Sequence, residues 1–148
     1  MNHIQRMVVL GLSLGSTSAF AGTIVVNPKT ELRNSKGFFR CTLWSQGEGF
    51  PIDYDKADQR ISAPISDSKS TCTFENVQPG KYAIALLHDE NDNKKMDTTT
   101  VGVPVEGFGF SNDATPMPGQ TPAFEVAAFD YDGSTLNLQL DVRYAKPL

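Results

Sequence analysis

Gln78-Pro79-Gly80-Lys81-Tyr82-Ala83-Ile84-Ala85-Leu86-Leu87-His88 is the stretch that decides the fold. Pro79 and Gly80 occupy positions i+1 and i+2 of a type II turn, because proline presets φ and glycine accepts φ > 0. Beyond the turn, Tyr82, Ile84, Leu86 and His88 alternate with Ala83, Ala85 and Leu87, a period of two that predicts a strand. Both faces are apolar, which places that strand centrally in a sheet.

Working outward, the spacing predicts a second clear strand over 135–144. There Leu136, Leu138, Leu140, Val142 and Tyr144 form a core face against wet Asn137, Gln139, Asp141 and Arg143. A strand over 37–44 aligns Phe39, Cys41 and Leu43, and one over 70–75 sets Cys72 beside Phe74. Weaker strand signals fall at 23–26, 60–65 and 124–131, and no stretch after residue 21 carries a helical period. About seven short strands between Gly, Pro, Asn and Asp clusters predict an all-β chain. The plan is a single Ig-like or transthyretin-like β-sandwich with one long loop over 89–122.

Residues 1–21 read as a signal peptide that is cleaved. Arg6 charges the n-region, Met7 to Leu14 form a short apolar core, and Ala19-Phe20-Ala21 offers small residues for cleavage. The expected mature domain is 22–148, in the bacterial periplasm or secreted. No later stretch has the roughly 20 apolar residues needed to span a bilayer. One of the 13 basic residues and none of the 17 acidic ones lies in the leader, so the mature net charge is −5. That charge disfavours nucleic acid and anionic membranes as partners and suits cations. A monomer is expected, with an unidentified envelope or extracellular partner.

Cys41 and Cys72 are the only cysteines. In an oxidising compartment an even pair reads as one disulfide, closing a loop of about 30 residues and adding roughly 3 to 4 kcal/mol. Two free thiols are the rival reading. Both positions fall on predicted apolar faces, as a bridge across a sandwich core requires.

The run from His88 to Asp97 sets Asp89, Asn91, Asn93 and Asp97 at positions 1, 3, 5 and 9 of a loop, with the Lys95 carbonyl at position 7. Alternate short oxygen-bearing side chains on a curling backbone are how a protein supplies the six to eight ligands of Ca²⁺. Lys94 stands at position 6, where an EF-hand has glycine, and Thr100 at position 12, where it has a bidentate glutamate. Glu106 is the available replacement carboxylate. The plainer alternative is a solvated turn held by side-chain to backbone hydrogen bonds.

No G-x-S-x-G or H-E-x-x-H motif occurs, and His88 is the only histidine after residue 21. A structural histidine anchoring the loop is preferred over a base acting with Asp89 or Glu106 in an envelope hydrolase. Gly107-Phe108-Gly109-Phe110-Ser111-Asn112 admits two readings: Phe108, Phe110 and Asn112 pave a ligand platform, or the aromatics close the sandwich. Trp44 reads as core.

Three blocks together carry a resemblance: Phe74-x-x-Val77-x-Pro79-Gly80-x-Tyr82-Ala83, then His88 to Asn93 with Asp97, then Gly102-x-Pro104-x-Glu106 through Asn112. The chain resembles the DUF2141 family of exported bacterial proteins over its whole mature length. The family's usual loop is similar to His-Asp-Glu-Asn-Gly-Asn, so Asp92 stands where a glycine is common. The segment from Phe74 to Tyr82 is also similar to transthyretin-like and Cna B-type sandwiches, which implies a fold and no activity. The expectation is a non-enzymatic module, possessing a calcium loop or contacting a partner through it; a structural module of a larger assembly is the third alternative.

Overall fold

The computed structural model describes residues 20–145. Residues 1–19, and with them almost all of the expected signal peptide, lie outside the described residues.

Eight strands build two sheets: β1 (Gly22–Pro28), β2 (Phe38–Trp44), β3 (Gln59–Pro64), β4 (Cys72–Val77), β5 (Gly80–Asp89), β6 (Gly107–Phe110), β7 (Phe129–Tyr131) and β8 (Leu136–Leu140). The smaller sheet runs β4-β1-β8, and the larger runs β3-β2-β5-β6 with β7 paired to the start of β5. The stretch from Gly80 is central, as its two apolar faces predict. One face meets the other sheet through Ile84 and Leu86, and the opposite face carries Ala83, Ala85 and Leu87 under a second layer.

Between the sheets, Ile24, Val26, Phe39, Leu43, Phe74 and Ile84 are essentially inaccessible. Cys41 on β2 and Cys72 on β4 join the sheets through a disulfide with Cα atoms 6.3 Å apart. The second layer packs Trp44, Phe50, Phe110 and Phe124 on the outer face of the larger sheet, Phe50 meeting the other three rings edge-on with centroids 5.6 to 6.1 Å away. The Trp44 indole N–H donates to the Thr42 hydroxyl at 2.8 Å, so Trp44 is core.

Four sequence expectations change. The type II turn at Pro79-Gly80 does not form: Gly80 is not in the left-handed region and is already the first residue of β5, paired with Tyr131, while the left-handed position before the strand is taken by Asn76 (φ 56°). The loop over 89–122 contains β6, whose Gly-Phe-Gly-Phe run lacks β-branched signals. A side chain at Gly107 would lie 2.4 Å from the Tyr144 ring, and one at Gly109 would lie 2.0 Å from the Asp141 carbonyl oxygen. Those glycines serve close approach of the C-terminal segment. The strand over 135–144 is split: β8 ends at Leu140 and the chain crosses to the larger sheet, where Phe108 and Arg143 exchange N–H···O bonds at 2.9 and 2.7 Å. Finally, the stretch over 124–131 opens as one helical turn, α1 (Phe124–Ala127), because Phe124 and Ala127 both turn into the second layer.

Candidate functional site: the loop at the end of the central strand

The central strand delivers Asp89, completely buried, to one end of the sandwich. Burying a carboxylate is costly unless it is paired and hydrogen-bonded. Asp89 is both. Arg40 Nε donates to its Oδ2 at 2.5 Å, and the backbone N–H groups of Asn93 and Lys94 donate to Oδ1 and Oδ2 at 3.1 and 2.9 Å. Arg40, stacked over Phe38, also pairs with Asp92 and donates to the Ser62 hydroxyl. The turn that aims those two amides requires left-handed backbone at Asp92 (φ 56°) and Lys94 (φ 66°). Lysine at position 6 therefore adopts the conformation for which an EF-hand uses glycine.

The side chains of Asn91, Asn93 and Asp97 converge on the exposed side. The Asn91 amide donates to Asp97 at 2.7 Å and the Asn93 amide to both Asp97 oxygens at 2.9 and 2.8 Å. These bonds, Asn93 first, hold the Asp97 carboxyl below the usual carboxylate range. The Asn91 and Asn93 side-chain oxygens accept from the N–H groups of Asn93 and Lys95, both at 3.2 Å.

Glu106 sits elsewhere than expected. Its two oxygens accept from the backbone N–H groups of Glu90 (2.9 Å) and Asp97 (3.1 Å), so it clasps both ends of the loop and both its oxygens are engaged. Burial pushes its carboxyl up, a rise that the two N–H bonds oppose and the Asp89 and Asp97 charges reinforce. Beside it, burial also pushes Glu90 up. Hydrogen bonds from Asn34 and Arg33 outweigh that effect and leave Glu90 below its ordinary value.

His88 is fully buried beneath the loop. Its Nε2 lies 3.0 Å from the Lys36 carbonyl, which can only accept, so Nε2 donates there, and Nδ1 shares a hydrogen bond with the Tyr144 hydroxyl at 2.7 Å. With both nitrogens engaged and no exposure, the ring ties the 33–37 turn and the C-terminal segment to the central strand. The open cleft that a base at this position requires is not formed there.

Phe108 and Phe110 turn onto the second layer, Phe110 fully under it, and the Asn112 amide donates to the Ala128 carbonyl at 2.7 Å. The platform reading thus gives way to packing: sheet geometry sends both rings to the face that the second layer covers. A groove of about 640 Å³, lined by Gly47, Phe50, Met117, Pro122, Phe124 and Val126 among others, shares no residue with the loop. No cluster of three or more His, Cys, Asp or Glu side chains poised to hold a metal occurs among the described residues; two of the candidate donors here, Asn91 and Asn93, are amides.

Sequence reasoning missed Arg33 and Arg40, the cations that complete this end. The available signal was Arg40 itself, a lone charge in an otherwise apolar strand.

Residues 29–139 match a sequence family described as an uncharacterized protein conserved in bacteria, DUF2141. The chain belongs to that family. No curated protein and no solved structure matches it. Asp92 adopts left-handed backbone, which aspartate tolerates, and uses its carboxylate on Arg40.

Proposed function

We propose that this chain is a non-enzymatic exported β-sandwich whose 89–97 loop binds Ca²⁺ and presents the ordered loop to an envelope or extracellular partner. The observation that carries this reading is the convergence of Asn91, Asn93 and Asp97 on a backbone that curls through left-handed Lys94. Asn91, Asn93, Asp97 and the Lys95 carbonyl would hold the ion once the two amides present oxygen instead of nitrogen, while Asp89, whose oxygens are engaged by Arg40 and the Asn93 and Lys94 amides, shapes the turn beneath them. Calcium would supply charge neutralisation and order and no chemistry. Glu106 and Arg40 act as supports: the first clasps the loop ends, the second neutralises buried Asp89. The disulfide and the leader-like first 21 residues support export.

Calorimetric titration with CaCl₂ after chelator treatment tests this. The expected dissociation constant is on the order of 10⁻⁴ to 10⁻³ M. At 5 mM calcium the domain then gains about 1 to 2 kcal/mol and melts at a higher temperature. No heat and no shift in melting temperature would overturn the calcium reading.

A further inference from the structure

Five strands lie at sheet edges, β3, β4, β6, β7 and β8, and the edges of β3, β4 and β6 are protected. The β3 and β4 edges are stapled together: the Gln59 side chain donates to the Glu75 carbonyl at 2.9 Å, and the Ser70 hydroxyl to the Pro64 carbonyl at 2.8 Å. The β6 edge is closed by the paired bonds between Phe108 and Arg143. Among the described residues the β8 edge has no such cover.

Strand β8 runs parallel to β1, with Leu140 opposite Pro28 and the Lys29 N–H donating to the Leu140 carbonyl at 2.9 Å. Leu140 therefore directs its backbone groups at β1, as do Leu138 and Leu136 two and four residues before it. Asn137 and Gln139 direct theirs outward, and among the described residues these groups form no hydrogen bond. The next outward N–H, that of Asp141, is capped by the Asp113 carboxylate at 3.2 Å, which ends the open stretch. Leu136-Asn137-Leu138-Gln139-Leu140 contains no charge and no proline, the two devices that blunt an exposed edge.

We infer that β8 pairs antiparallel with β8 of a second copy, joining two three-stranded sheets into one of six strands. The edge is self-complementary about Leu138. In that register Asn137 faces the partner's Gln139 and Gln139 faces the partner's Asn137. Each such pair exchanges two N–H···O bonds, so all four outward groups on each chain are satisfied. The side chains that meet are uncharged amides, so a chain with an excess of acidic residues approaches its copy at a neutral strip. This pairing does not depend on the calcium reading.

Sedimentation velocity on the chain from Gly22 onward, which contains every strand, tests it in chelator. The expected result is a monomer–dimer equilibrium with a dissociation constant on the order of 10 to 1000 µM, as befits a small interface. N137K/Q139K places lysines opposite one another across the pair and weakens association at least about tenfold. N137K/Q139E places opposite charges there and restores it. Both positions are exposed on the outer face, so both variants keep the wild-type melting temperature. A monomer throughout that range, association indifferent to N137K/Q139K, or failure of N137K/Q139E to restore it would each overturn the pairing.

Discussion

The two faces of β2 and β5 are held by different physics. Where Ile84 and Leu43 meet Phe39 and Phe74, the interior is apolar and a disulfide fastens one sheet to the other. On the opposite face, where the same strands carry Arg40 and Asp89, the contact is ionic and held by charge-assisted hydrogen bonds to backbone amides. Both regions are buried, yet they fail differently. Apolar packing loses stability in proportion to the atoms removed, whereas an ionic cluster that loses one partner leaves the other charged, buried and unpaired.

Breaking that contrast at its most sensitive point predicts the largest effect. Asp89→Ala strips Arg40 of its buried partner and orphans the Asn93 and Lys94 amides, so urea unfolding in chelator should show a loss of about 3 to 5 kcal/mol. C41A/C72A removes the apolar region's covalent fastening, closed over a sequence separation of 31. It should cost about 3 to 4 kcal/mol by the same measurement, chiefly by enlarging the unfolded ensemble. The smallest effect has the opposite sign. Lys94 holds a left-handed conformation that glycine adopts without steric cost, so Lys94→Gly should stabilise the domain by about 1 kcal/mol. A destabilised Lys94→Gly variant would mean that the lysine side chain contributes contacts exceeding its backbone strain.

The apolar region was legible in advance because its signals are local. The alternation from Tyr82 to His88 and the placement of Cys41 and Cys72 on apolar faces each follow from a few neighbouring residues, whereas the type II turn expected at Pro79-Gly80 gave way to strand pairing of Gly80 with Tyr131. Position β6 was missed for the converse reason. Gly-Phe-Gly-Phe has weak strand propensity, and its glycines make sense only against Tyr144 and Asp141, more than 30 residues away. In the loop, the sequence supplied the oxygen donors at alternate positions but not their assignments. Whether Glu106 faces a cation or two backbone amides depends on where residues 90 and 97 come to rest, which no spacing rule encodes.

From sequence alone follow an all-β sandwich, a central strand from Gly80 onward, a cysteine pair suited to bridging its core and an acidic loop at its end. Period, turn chemistry and composition act over a few residues and survive without coordinates. Only the tertiary structure decided that Arg40 neutralises Asp89 and that His88 is sealed by Tyr144 and Lys36. Each of these depends on which groups from distant segments share a space too small for water, and burial of that kind is a property of the assembled fold.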